Sequence, residues 1–225
     1  MRGSSVSLNA DDTITVSSLT DAAGDPIRWR EVGPWQWHEV GGEGRLNALV
    51  KDGHVVSFAN DEIAPIMGFL PAPFAMNGAW IVPAVMIALL VMLLTLIAWP
   101  VVALVRRHYD RPAVLAGRSL MLHRGARVTA LLFIGIAAMW FSFIALLSAS
   151  LLYLDGRLDP WMRIAQVLSI FAIAGAALCC WNAWHVLTDK RSWWTKLWSV
   201  VIALAALFLT WFLIVMHLIP SSLNY

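Results

Sequence analysis

Charge is what this sequence has least of. Only 13% of its 225 residues are Asp, Glu, Lys or Arg, while 60% are hydrophobic. An average soluble domain has roughly 25% and 45–50% respectively. With a mean hydropathy of +0.70, the chain is neither a water-soluble globule nor a disordered one. Cysteine is scarce as well. Its two copies, Cys179 and Cys180, are adjacent, which excludes a disulfide framework. Neighbours on a helix point about 100° apart, so they make no usual metal pair and read as small groups that pack or face lipid.

The common catalytic motifs are missing too. The sequence has no Gly-x-Gly-x-x-Gly, Walker loop, His-Glu-x-x-His or Gly-x-Ser-x-Gly. The nearest approach to Ser-x-x-Lys is Ser192-Trp-Trp-Thr-Lys196, which has one residue too many to stack serine and lysine one turn apart. Its six His are dispersed; His185 and His217 fall near opposite ends of their segments, which argues against a shared haem. No ionisable side chain stands in mid-span, which argues against a pump or ion-coupled transporter. No residue is therefore assigned a catalytic, cofactor-binding or metal-binding role, and no cofactor or nucleic-acid partner is expected.

What is present is four long apolar runs. Residues 63–105, 128–154, 164–188 and 197–225 lack Asp, Glu, Lys and Arg altogether. The dense parts, about 80–105, 128–154, 164–188 and 197–219, each reach the roughly 20 residues that a helix needs to cross a bilayer. Before them, residues 1–60 alternate apolar and polar side chains between turn signals. Thr13-Ile-Thr-Val16, Ile27-Arg-Trp29-Arg-Glu-Val32, Trp35-Gln-Trp37-His-Glu-Val40, Arg45-Leu-Asn-Ala-Leu-Val50 and His54-Val-Val-Ser-Phe58 read as strands. Asp52-Gly53 marks a tight hairpin. The fold class is thus an α-helical membrane protein with four transmembrane helices, preceded by a small antiparallel β-meander. Three parts follow: the β region at 1–60, an apolar, Pro-broken interfacial linker at 61–78, and the four-helix domain at 79–225.

Charge is sorted along the chain. Residues 1–78 hold five basic and ten acidic residues; the rest hold eleven and four. Arg106, Arg107, Arg111, Arg118, Arg124 and Arg127 crowd the link between the first two spans, and Lys190, Arg191 and Lys196 that between the last two. The positive-inside rule places these two basic loops in the cytoplasm and both chain ends outside. Trp80, Trp99, Trp161, Trp193 and Trp194 fall near span ends and read as an aromatic belt, which names the lipid bilayer as a partner. The basic segment 106–127 can meet anionic headgroups, although fixing topology is role enough. Asn182 is the main polar side chain deep in the third span. It is expected to hydrogen-bond a neighbouring helix, which Ala172, Gly175 and Ala176 let approach.

Several stretches resemble one family. They are Arg28-Trp-Arg-Glu-Val-Gly-Pro-Trp-Gln-Trp-His-Glu-Val-Gly-Gly with the following Leu-Asn-Ala-Leu-Val-Lys-Asp-Gly-His-Val-Val, then Trp99-Pro-Val-Val-Ala-Leu-Val-Arg-Arg-His-Tyr109, Leu158-Asp-Pro-Trp161, Trp181-Asn-Ala-Trp184, Lys196-Leu-Trp-Ser-Val200 and Leu223-Asn-Tyr225. Over about residues 10–225 the chain resembles the C-terminal region of membrane-anchored serine hydrolases of the beta-lactamase-related, penicillin-binding-protein-like family. The resemblance implies an exported catalytic domain preceding a small β domain and membrane helices, in the same chain or a separate one. None of that domain's catalytic motifs is present here. The absence of a signal peptide after Met1 and the small core of a 60-residue meander fit a natural protein that begins further upstream. The expected role is a non-catalytic anchor in a bacterial inner membrane, holding a periplasmic hydrolase domain near its substrate. The alternative is a free-standing small membrane protein that binds a partner through its sheet edge. A third possibility, that the chain itself hydrolyses an ester or peptide, has no motif behind it.

Overall fold

The computed structural model describes residues 4–21, 23–61, 69–109, 117–149, 158–189 and 191–219. The chain divides into two compact units, Met1–Ile81 and Val82–Tyr225.

The first unit is a six-stranded antiparallel sheet in simple sequence order: β1 (Val6–Leu8), β2 (Thr13–Thr20), β3 (Pro26–Gly33), β4 (Gln36–Glu39), β5 (Arg45–Lys51) and β6 (His54–Asn60). Alternation selects the buried face. In β3, Ile27 and Trp29 are buried while Arg28 and Arg30 are exposed. Val16, Leu19, Ile27, Trp29 and Leu46 form the core, with Ile14, Trp37 and Phe58 packed at its margin. The alternation fails at Val32, which is 60% exposed. Counting by twos from Ile27 and Trp29 brings Glu31 to the core side and turns Val32 outward.

The turns follow their residues. Asp52 and Gly53 both have positive φ, 53° and 77°, and join the paired Lys51 and His54 as a two-residue hairpin loop. Between β3 and β4, Pro34 precedes Trp35 at φ 61°, a conformation that a bulky side chain seldom takes. Trp35 is held there by its neighbours: its carbonyl accepts from the Ala48 amide at 2.9 Å, and its ring meets Trp37 edge-on at 6.4 Å. The Asp21 carboxylate accepts the amides of Ala23 and Asp25 at 2.9 Å and ties the β2–β3 turn. In the β1–β2 turn, the Asp11 carboxylate accepts the Thr13 hydroxyl at 2.6 Å. That bond, helped by Arg28 at 3.4 Å, holds the Asp11 pKa below the ordinary value.

The strand β1 adds a sixth member to the five read from alternation. Its three residues are too few to show a pattern. Val6 pairs with Val16 and Leu8 with Ile14, so both face the core side of the sheet, yet they are 55% and 73% exposed. At the other edge, Phe69 forms a bridge with Phe58, and their rings stack at 4.6 Å. Most of the expected interfacial linker, residues 62–68, lies outside the described residues. Its end forms a 3-10 turn, Phe74–Met76. Trp80 stacks on Phe74 at 5.1 Å and donates its indole N–H to the Phe74 carbonyl at 2.8 Å.

The second unit consists of four long helices: α1 (Gly78–His108, whose first residues belong to the first unit), α2 (Gly117–Ala149), α3 (Asp159–Thr188) and α4 (Trp193–Val215). All four are long and apolar enough to cross a membrane. They begin earlier than the dense apolar parts read from the sequence. The largest difference is in α2, where eleven residues, including Arg118, Arg124 and Arg127, are helical ahead of the expected span. Charge marks where hydrocarbon ends, not where a helix must end. The expected end of that span, residues 150–154, lies outside the described residues.

Small residues set the packing of α2 on α3. Ala126 and Ala130 of α2 and Ala172 and Ala176 of α3 are buried in one cluster. A Cβ added at Gly175 would overlap the Thr129 hydroxyl, and one at Gly125 would come within 2.9 Å of the Leu178 side chain. Such close approach replaces hydrophobic association where the surroundings are as apolar as the side chains. Helix α4 adds Ala203, Ala206, Leu209 and Leu213, and α1 adds Ala88 and Met92. Hydroxyls within the helices bond backward: Thr95 to the Val91 carbonyl, Thr129 to Gly125, and Ser169 to Ala165, at 2.8–3.0 Å. Each polar group is thereby satisfied on its own helix.

Replacing Gly175 with Val is expected to separate α2 from α3, because the new methyls fall on Thr129. The cost expected of overpacking is about 1–3 kcal/mol. Thermal unfolding of the full chain in detergent should show a lower midpoint than the wild type. An unchanged midpoint would mean that the two helices do not depend on this contact.

Candidate functional site

The residues nominated as anchors gather at one end of the helical unit. Arg106 and Arg107 occupy the last turn of α1, where cations complement the helix dipole. Arg118 stands in the first turn of α2, where the dipole disfavours it, and Arg124 and Arg127 follow in the next turns. Arg118 lies over the Trp181 ring of α3 at 4.8 Å. Arg127 lies over the Trp99 ring of α1 at 5.1 Å. Each cation–π contact contributes roughly 0.5–1 kcal/mol at an exposed site, and each ties two helices together. Of the expected belt, Trp99 therefore acts in a pair with an arginine.

The link between α3 and α4 is fixed by charge. Arg191 donates through Nε to the Asp189 carboxylate at 3.1 Å and through its second arm to the Ser119 hydroxyl of α2. His185 lies 3.4 Å from the same Asp189 carboxylate. Lys196 donates to the Leu187 carbonyl at 3.0 Å, filling one of the acceptors that a helix C-terminus leaves unpaired. Lys196 is thus a cap on α3 as well as a cation near the membrane end. Trp193 and Trp194 meet edge-on at 5.8 Å and stay largely exposed, at 67% and 73%. Trp161 is in the first turn of α3, and Trp80 belongs to the first unit; neither joins this group. Arg111 and Lys190 lie outside the described residues.

At this same end is a cavity of about 280 Å³. Thr95 reaches it from α1, His123 and Arg127 from α2, Asn182 from α3, and Trp198 and Ser199 from α4. Ala126, Val186 and Ile202 supply apolar wall. Sequence reading missed it, because its walls come from four helices and form only where those helices meet. The one available signal was Asn182, a polar residue deep in an apolar run. Asn182 is 5% exposed and lines the cavity. The hydrogen bond to a neighbouring helix expected of it is not found among the described residues. The hydroxyl protons of Thr95 and Ser199 are already given to the carbonyls of Val91 and Lys196, at 2.8 Å each. The donors left lining the cavity are those of Arg127, Asn182 and His123, with the Thr195 hydroxyl and the indole N–H groups of Trp194 and Trp198.

The other polar residues considered from the sequence remain apart. Cys179 is buried and Cys180 half-buried, both as free thiols. Among the described residues, no three His, Cys, Asp or Glu side chains come together as a metal site would require.

Replacing Arg191 with Leu removes its bonds to Asp189 and Ser119 together. An exposed network of this kind contributes about 1 kcal/mol. Hydrogen exchange of the full chain should therefore quicken in the first turn of α4 and the last turn of α3, and stay unchanged in mid-helix. Unchanged exchange at these ends would show that the arginine does not hold the link.

Comparison with known proteins finds no match among family models, curated proteins or solved structures.

Proposed function

We propose that this chain is the non-catalytic membrane-anchoring C-terminal portion of a beta-lactamase-related serine hydrolase, tethering a periplasmic hydrolase domain to the bacterial inner membrane. The observation that supports this reading is an exposed apolar edge strand on a sheet that precedes four helices fit to cross a bilayer. Val6 and Leu8 face the core side of the sheet but are more than half exposed. The outer edge of β1 has no strand partner among the described residues. A bare apolar edge of this kind is a liability unless another surface covers it. The second unit supplies four helices fit to cross a bilayer. Tethering raises the local concentration of a catalytic domain near membrane-adjacent substrate without requiring new contacts. The family resemblance supplies the identity of the tethered domain. Its longest stretch runs through β3, β4 and the turn after β4, where Trp29 is wholly buried and the Glu39 carboxylate accepts the Gly44 amide.

The same bare edge also favours the second reading, a free-standing membrane protein that binds its partner by strand addition at β1. A serine-directed fluorophosphonate probe separates the two. Polypeptides that carry or cross-link to this sequence are recovered from native membranes, using a photoreactive residue in place of Leu8. The expected result is labelling of the recovered species and none of this chain purified alone. A cross-linked partner that never labels would favour the second reading. Labelling of the pure chain, lost on a Ser→Ala replacement, would overturn the non-catalytic assignment.

The topology follows from the basic ends. Alkaline phosphatase fused after Tyr225 is expected to be active, and the same enzyme fused after Asp189 inactive, since it folds only outside the cytoplasm. The reverse pattern would invert the orientation and place the sheet on the cytoplasmic side.

A further inference from the structure

The cavity at the basic end has a chemical character that anchoring alone does not require. Among the described residues, no carboxylate pairs with Arg127. Its guanidinium lies over the Trp99 ring at 5.1 Å, and its N–H groups have no hydrogen-bond acceptor among the described residues. Asn182, 5% exposed, lines the same space and makes no hydrogen bond among the described residues. Its amide therefore has donor and acceptor capacity left for a ligand in the cavity. His123 adds another donor, and among the described residues no acidic side chain lines the cavity. The remaining wall is apolar or aromatic, including Ala126, Ile202 and Trp198. A volume of about 280 Å³ is more than a bare oxyanion needs.

We propose that this cavity binds the phosphate group of an anionic amphiphile, with Arg127 and Asn182 holding the phosphate oxygens and Trp198 packing against the attached apolar part. Guanidinium and amide donors match phosphate oxygens in charge and geometry. Basic pockets between membrane helices on the cytoplasmic side are a recurrent setting for such headgroups. The proposal is independent of what the sheet carries. It needs only that the helices lie in a bilayer.

Native mass spectrometry of the full chain released from detergent, after incubation with phosphatidylglycerol or phosphatidylcholine, tests it. The expected result is a retained phosphatidylglycerol adduct and little phosphatidylcholine. R127Q and N182L should each lower that adduct roughly tenfold or more, the loss expected of one charge-assisted hydrogen bond. N182D, nearly unchanged in shape, should abolish it by placing an acceptor where a donor is needed. R107Q, outside the cavity, should leave the adduct intact. Equal loss in R107Q would mean diffuse surface attraction, and a folded N182D that still retains the lipid would remove the amide from the site; either overturns the proposal. Excess inorganic phosphate or glycerol phosphate separates the two sources of the group. Retention of the lipid is expected, and its displacement would overturn the assignment to an amphiphile. Circular dichroism and size-exclusion profiles establish that each variant is folded before binding is compared.

Discussion

The close approach of α2 to α3 governs the helical unit. Where Gly175 faces Thr129 and Gly125 faces Leu178, there is no room for an added carbon. Lipid tails are as apolar as the side chains, so burial of hydrocarbon does not hold these helices together; dense contact between small residues does. The rest of the arrangement depends on that seam. Helix α4 fits against it with its own small residues, Ala203 and Ala206, and α1 contributes Ala88 and Met92. Toward the basic end the small residues give way to Asn182, His123, Arg127 and Trp198. Larger, polar side chains cannot close the seam as alanines do, and the space they leave is the cavity.

The basic end has a second organisation laid over the first. Arg118 at the start of α2 opposes the helix dipole, and the structure answers there and at Arg127 with aromatic faces and not with carboxylates. Trp181 receives Arg118, and Trp99 receives Arg127. Acid is spent sparingly: the single Asp189 serves both His185 and Arg191. An end held by cation–π contacts keeps its net positive charge, whereas one held by salt bridges would be neutral. The basic end can therefore be rigid without losing its charge.

Much of this was legible in the residues, and the gaps have physical reasons. Period-two alternation located the five longer strands, and Asp52-Gly53 located a hairpin whose two positive φ values only such residues adopt readily. Hydropathy located four helices. It did not locate the start of α2, because Arg118, Arg124 and Arg127 stop a hydropathy window but not a helix. Three-residue β1 carried no periodicity. Trp35 at positive φ was not legible, since neighbours and not intrinsic preference hold it there. The cavity was least legible of all. Asn182 stood out as a polar residue in an apolar run, but what it faces depends on how four helices meet, which no local pattern records.

The two edges of the sheet are unequal. Phe69 occupies the outer side of β6 at Phe58, while the outer side of β1 has no strand partner among the described residues. A sheet with two free edges can add copies of itself without limit and grow into a fibre. A sheet with one can add only once. Two copies meeting through β1 would close on a twofold axis. The bridge at Phe69 obstructs part of the β6 edge and makes β1 the more open place for a strand to add.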